Sequence, residues 1–299
     1  MRDAAFKSLA VGFFDGVHLG HQAILKGADA ALTFRNHPLT ILAPERAPRL
    51  IMSCEERVAA IKACGVEHVE VLDFTPELAS MPAEDFLTRH LMSFVSSLSS
   101  SVRCGENWRF GTGGTGDAAF LRVRGIGVEV VPYAEYKGER VSSSRIRRCL
   151  ENGEIEDANA MMGRRFKVQG SRFKGKGLGG RLGYPTVNFR IGEQKSSSTN
   201  QTNLTNRVEL PLGVYVVELE GVCGIANYGY APTMGPEAWK QPVLEVHIPS
   251  SRDSFVPIRS DSPTTCCISI LRFVRPEKKF NSIEDLKRQI AMDCATIAP

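Results

Sequence analysis

Two histidines three residues apart, a glycine-rich basic loop and an acid inside an apolar run are the groups in this sequence best suited to chemistry. His18 and His21 close the segment Val11-Gly-Phe-Phe-Asp-Gly-Val-His-Leu-Gly-His21, which follows a short apolar run. Gly12, Gly16 and Gly20 let the backbone approach a ligand closely. If a helix starts at the first histidine, both rings share one face. Phosphate binds well at helix starts, and two imidazoles there could stabilise charge on a phosphoryl group in transfer. Taken alone, such a pair is more often a metal pair or two loop histidines. The strand and three glycines before it make it more specific. Val141-Ser-Ser-Ser-Arg-Ile-Arg147 opens a second predicted helix. Its hydroxyls could hold phosphates, with Arg145 or Arg147 pairing to them; alone it reads more often as a basic surface helix start.

The run Gly170-Ser-Arg-Phe-Lys-Gly-Lys-Gly-Leu-Gly-Gly-Arg-Leu-Gly-Tyr-Pro-Thr-Val-Asn188 is richer still. Lys174 and Lys176 alternate with Gly175 and Gly177, a pattern that can fold N–H groups and ammonium heads around phosphates. It is not a Walker A loop, because no GK[ST] opens a helix. If Pro185 begins a strand, Thr186 and Asn188 point to the same face. A hydroxyl and an amide oxygen there could ligate Mg²⁺, which takes few protein oxygens beside phosphates and water. Glu245 lies inside Val243-Leu-Glu-Val246. An acid so placed is either an ion-pair partner or a general base. His247 falls on the same face and reads as structural.

The elements that must position these groups divide into two patterns. From Ser8 to Leu150, apolar runs (Ser8–Phe13, Ala30–Phe34, Val66–Leu72, Val102–Cys104, Gly127–Val131) alternate with helical segments (Ser53–Ala63, Pro82–Leu91, Ser143–Leu150). That predicts an α/β, Rossmann-like domain, a parallel sheet with helices on both faces. Glu154–Met161 reads as a second short helix closing this domain. From Phe166 on, short apolar runs separated by turns predict an antiparallel barrel, followed by a closing helix over Ser282–Thr296 with Ser282 as N-cap. We expect domains at 1–158 and 159–299. The polar stretch 194–207 reads as a loop.

The composition is that of a globular protein: 299 residues, 42% hydrophobic, 23% charged, with a formal net charge of +4. This balance speaks against nucleic acid as a partner, since the basic residues sit in glycine loops and not on an aromatic-studded face. No stretch of about 18 apolar residues could span a bilayer. The eight cysteines show no CxxC spacing, which fits reduced thiols in a cytoplasm. The sequence marks no protein partner, and self-association is compatible with it.

Two family resemblances follow from these segments. The strand–glycine–HxGH run with SSSRIRR resembles the HxGH nucleotidyltransferases. Thr33-Phe-Arg-Asn-His-Pro38 and Cys104-Gly-Glu-Asn-Trp-Arg-Phe-Gly111, with Gly116-Asp117, narrow it to bacterial FAD synthetase modules. The Gly170–Asn188 run resembles the riboflavin kinase pattern GxGxGRxLGxPTxN, a six-stranded barrel. Pro211-Leu-Gly-Val-Tyr215, Gly224-Ile-Ala-Asn-Tyr-Gly-Tyr-Ala-Pro-Thr233, Leu244-Glu-Val-His247 and Arg275-Pro-Glu-Lys-Lys-Phe280 resemble that family's further segments. The resemblance implies a bifunctional riboflavin kinase/FMN adenylyltransferase, using ATP in both steps and Mg²⁺, with riboflavin and FMN as its other substrates.

By that resemblance His18, His21 and Arg145 act in adenylyl transfer, and Gly12, Phe14, Asp15, Gly16, Ser143 and Ser144 hold nucleotide. His37, Asn107, Trp108 and Arg109 lie near flavin. In the kinase half, Gly175, Lys176, Gly177, Gly179, Arg181, Gly183 and Pro185 hold nucleotide, Thr186 and Asn188 the metal, and Arg275 flavin. Glu245 is the base. The chain departs from the pattern in places. Asn107 replaces the usual Asp, Trp108 a Phe, and Pro249–Thr265 lacks a YGK-like piece. Only residues 22–32 separate His21 from Thr33, fewer than the family usually has. A parallel crossover normally needs roughly a dozen residues or more, so the first helix must be short and end near Gly27. Two alternatives therefore stand beside full bifunctionality: an active kinase with a weak or inactive adenylyltransferase, and a non-catalytic flavin-responsive protein.

Overall fold

The computed structural model describes residues 6–95, 100–174, 178–191, 207–230, 242–249 and 265–297, with backbone alone at 178 and 181. The chain forms two compact units, Met1–Arg147 and Arg148–Pro299.

The first unit is a five-stranded parallel sheet: β1 (Ser8–Val11), β2 (Ala30–Phe34), β3 (His68–Leu72), β4 (Ser101–Gly105) and β5 (Gly127–Val131), in the order β3-β2-β1-β4-β5. Its helices are α1 (Leu19–Leu25), α2 (Leu39–Leu42), α3 (Cys54–Ala63), α4 (Pro76–Ser80), α5 (Ala83–Phe86) and α6 (Ala118–Val123). Strand alternation sends Leu9, Val11 and Val102 to a core shared with Phe86, Leu91 and Leu121, and Ala10 and Ala31 to one shared with Ile24, Leu25 and Ile61. Both faces are therefore covered, as a parallel sheet requires. Ser53 starts α3 with a full capping box, its Oγ accepting from Glu56 N–H while Ser53 N–H donates to Glu56 at 2.7 Å; this contributes about 1 kcal/mol.

Two expected elements differ, and one hairpin is additional. β1 stops at Val11, because Phe14 turns to φ 59°. The helix expected over Pro82–Leu91 is α5 followed by a π turn over Leu87–Leu91, which lets Phe86, Leu87 and Leu91 all bury. A hairpin of β6 (Glu135–Tyr136) and β7 (Glu139–Arg140) also forms before α7 (Ser143–Glu151).

The second unit is a closed barrel of β8 (Phe166–Phe173), β9 (Thr186–Ile191), β10 (Gly213–Leu219), β11 (Val222–Gly229), β12 (Val243–His247) and β13 (Thr265–Pro276). The strand order is β10-β11-β12-β9-β8-β13, with antiparallel pairs throughout. Helix α8 (Ile155–Met162), read from sequence as closing the first domain, packs on β8 and β13. Asn159 fixes it there, donating to the Ile270 carbonyl at 3.0 Å and accepting from Phe166 N–H at 2.6 Å. A one-turn helix α9 (Leu178–Arg181) precedes β9, and α10 (Ile283–Ala295) ends the fold with Ser282 as N-cap. The expected polar loop lies outside the described residues for 194–206.

Candidate active sites

The first unit has a cleft of about 340 Å³ at the carboxyl ends of β1 and β4. The strand order reverses there, which is where open parallel sheets bind ligands. The chain leaves β1 through a loop in which Phe14 (φ 59°), Gly16 (φ 80°) and Val17 (φ 37°) adopt left-handed backbone. For Phe14 and Val17 this costs roughly 1–2 kcal/mol each, so something must hold the loop. Asp15 does so. Its carboxylate, 1% exposed, accepts from Ile51 N–H at 3.1 Å and from Arg147 Nη2 at 2.8 Å. Gly16 lies against Ile51, and a Cβ there would meet Ile51 Cδ1 at 2.9 Å.

His18 caps α1, its Nδ1 accepting from His21 N–H at 3.3 Å. The His18 ring in this neutral form carries its proton on Nε2. The two rings stack at 3.6 Å, and His21 stands edge-on to Phe14. Both histidines line the cleft, with Gly12, Phe14, Asp15, Ser143 and Ser144. Ser143 Oγ donates to the Asp15 carbonyl at 2.9 Å, joining the start of α7 to the loop.

His37 reaches the cleft from the Thr33–Pro38 turn. Thr33 ties that turn to Phe13 O, and Asn36 exchanges two hydrogen bonds with the Phe74 backbone. Arg57, fully buried on α3, donates to Phe34 O and Arg35 O and lies over the Phe13 ring. His37 Nδ1 accepts from Leu39 N–H at 3.1 Å. Burial first, then the charges of Arg147 and Arg57, push its pKa down to about 4, so the ring is neutral at pH 7. Its free donor is Nε2–H.

Of the remaining expected residues, Asn107 and Trp108 line the cleft, and Trp108 stacks on Phe110 at 4.7 Å. Arg109 is outside the lining and donates to the Trp108 carbonyl. Arg145 is outside it too. Its guanidinium holds the β6–β7 hairpin through Tyr136 O, Glu139 O and the Glu139 carboxylate. Arg147 reaches the cleft in its place.

Sequence reasoning missed Tyr133 and Arg140, which also line the cleft; the Arg140 guanidinium lies 3.2 Å over the Tyr133 ring. The signal was Lys137-Gly138, whose positive φ angles form the tight hairpin turn beside them. The Tyr133 hydroxyl and Arg147 Nε are buried without a hydrogen-bond partner among the described residues.

In the second unit Glu245 pairs in register with Asn227 on β11 and Asn188 on β9, and Asn188 with Phe173 on β8. Directly opposed residues share a face, so this row crosses four strands. His247 and Thr186 form the next row. Burial raises the pKa of Glu245. His247 is 7% exposed, and its Nδ1 donates to the Pro185 carbonyl at 2.9 Å, fixing the turn into β9. Gly179 accepts from Tyr184 N–H through its carbonyl, and a Cβ on it would collide with the Tyr184 carbonyl. Gly183 takes φ 89°. Gly175, Lys176, Gly177 and the Arg181 side chain lie outside the described residues. Arg275, expected near flavin, forms a bidentate pair with Asp293 at 2.7 and 3.0 Å and fastens α10 to β13.

The model of the FAD synthetase family matches residues 2–145, and that of the riboflavin kinase family residues 162–298. Relatives named bifunctional riboflavin kinase/FMN adenylyltransferase are similar along nearly the whole chain. The Pseudomonas fluorescens protein is 30% identical, covering 95% of this chain and 90% of that one. The Escherichia coli (strain K12) protein is 29% identical with coverage of 95% and 90%. The Bacillus subtilis (strain 168) protein is 28% identical with coverage of 95% and 89%. A solved structure described as a macrolide-efflux protein from Streptococcus pneumoniae superposes with a TM-score of 0.78 at 25% identity, covering 97% of this chain and 93% of its own. Among the described residues no helix is long and apolar enough to cross a membrane.

Proposed function

The chain belongs to the bifunctional riboflavin kinase/FMN adenylyltransferase family, and on that premise we propose how its own residues carry the two reactions. Riboflavin and ATP give FMN and ADP in the C-terminal domain; FMN and ATP give FAD and pyrophosphate in the N-terminal one. We assign the first unit, Met1–Arg147, to the second of these steps and the second unit, Arg148–Pro299, to the first, so the boundary expected at 158/159 moves ahead of α8.

In adenylyl transfer His18 and His21 donate to the oxygens of the α-phosphate as charge builds during attack by the FMN phosphate. Ser143, Ser144 and Arg147 receive the remaining phosphates. Arg147 takes the role expected of Arg145, which the hairpin occupies. The buried Tyr133 hydroxyl and Arg147 Nε support this, since a bound anion would satisfy both. His37 supplies a neutral N–H donor, and Asn107 and Trp108 face the flavin, Trp108 by stacking. Asp15 serves nucleotide binding indirectly, by holding the strained loop.

In riboflavin phosphorylation Glu245 accepts the proton of the ribityl hydroxyl as it attacks the γ-phosphate. The observation that carries this reading is the row Asn227–Glu245–Asn188, which puts a half-buried acid beside the proposed metal-binding oxygens. Burial raises its pKa toward that of an effective base. Thr186 and Asn188 suit Mg²⁺ by donor type, one hydroxyl and one amide oxygen on one face. When bound, the ion would screen the phosphate charge. A cytoplasmic setting is supported by eight cysteines that show no CxxC spacing.

Incubation of the full chain with riboflavin and Mg-ATP, followed by chromatography, tests the assignment. Wild type yields FMN and FAD. Glu245→Gln should cut FMN formation by roughly 100- to 10,000-fold while still converting supplied FMN to FAD. FMN formation at the wild-type rate in that variant would remove Glu245 as the base.

A further inference from the structure

Helix α1 carries His21 and is capped by His18, yet it has only 7 residues. So short a helix is marginal by itself, and its last four carbonyls need partners from elsewhere. Every one is accounted for. Gln22 O accepts from Lys26 N–H at 2.8 Å, and Leu25 O from Ala28 N–H at 3.0 Å. The other two are taken by one side chain: Arg103 Nε donates to Ile24 O at 2.9 Å and Arg103 Nη2 to Ala23 O at 3.2 Å. Arg103 lies on β4 in register with Ala10 of β1 and Glu129 of β5, on the sheet face that α1 covers. Its Nη1 pairs with Glu129, and its side chain is 16% exposed. A cation at the negative end of the helix also suits the helix dipole.

We infer that Arg103 is a positioning residue for adenylyl transfer. It pins the carboxyl end of this 7-residue helix so that His18 and His21 keep their stacked placement in the cleft. Arg103 lies outside the cleft lining and acts only through α1. The inference rests on the two histidines acting in adenylyl transfer. Without the two hydrogen bonds the last turn of α1 unwinds and the rings lose their alignment. Binding of ATP and FMN, made mostly by other elements, changes little.

The test uses full-length Arg103→Met and Arg103→Lys with FMN and Mg-ATP, and with riboflavin and Mg-ATP. Arg103→Met should lower kcat for FAD formation by roughly 10- to 100-fold, with KM for ATP and FMN within about twofold and FMN formation unchanged. Arg103→Lys, which keeps the charge and can serve one carbonyl, should recover part of the kcat. Wild-type kcat in Arg103→Met, or a raised KM at retained kcat, would overturn the inference. If Arg103→Met abolishes the thermal transition of the N-terminal unit, Arg103→Lys decides: a lowered kcat at constant KM supports the role, and wild-type kcat overturns it. His21→Ala is measured alongside. Wild-type FAD formation there would sink the histidine reading and this one with it, whereas slow His21→Ala beside full-rate Arg103→Met removes only Arg103.

Discussion

His18 has two tasks that alanine would confuse. Its Nδ1 caps α1, and its ring lines the cleft of the proposed reaction. Asparagine is among the best N-caps but supplies no imidazole. His18→Asn should therefore leave the thermal midpoint within a few degrees of wild type while slowing FAD formation by roughly 100-fold or more. His18→Ala should lose the cap as well, at about 1 kcal/mol. Equal FAD rates in wild type and His18→Asn would reduce His18 to a cap. The histidine pair was legible because three glycines and a strand precede it. Choosing between Arg145 and Arg147 was not. Both sit in one basic run, and residues two apart point to different sides of a helix. Asp15, far away in sequence, takes Arg147, and Glu139 takes Arg145. Arg275 was placed near flavin by resemblance alone, and its ion pair with Asp293 on the last helix had no signal nearby in sequence.

Among the elements, those read correctly carry their own punctuation. Ala30–Phe34 and Gly127–Val131 were bounded by turns, and Ser53 and Ser282 announced their helices. The π turn after α5 has no local signal; it follows from three apolar residues each finding the core. The Thr33–Pro38 turn shows how elements jointly set a group's chemistry. It buries His37 between Arg57 of α3 and Arg147 of α7, lowering its pKa from 6.5 to about 4. The linkage has a definite sign. Between those values the unfolded chain binds a proton that the folded chain refuses, so stability is full above about pH 6.5 and falls as pH drops toward 4. Thermal midpoints of wild type should therefore decline more steeply from pH 7 to pH 4 than those of His37→Asn. Parallel curves would show that His37 titrates normally. FAD formation should likewise show no inflection from His37 near pH 6.5.

At the scale of the whole molecule, each compact unit holds its own residue set. The proposed adenylylation groups all fall within Met1–Arg147, and Glu245, Asn188 and Thr186 within Arg148–Pro299. With the proposed groups of each reaction confined to one unit, FMN made in one barrel is expected to serve any first-unit cleft it reaches. Two full-length variants mixed together test this: Glu245→Gln, and His18→Asn combined with His21→Ala. Each alone, given riboflavin and Mg-ATP, should make little FAD, the first for want of FMN and the second for want of adenylyl transfer. The mixture should make FAD after a lag while free FMN accumulates, at a rate that rises with the concentration of the Glu245→Gln chain. If the mixture makes no FAD while wild type does, and Glu245→Gln still converts supplied FMN, then FMN passes within one molecule before it reaches solvent. The independence of the two sites would then be lost.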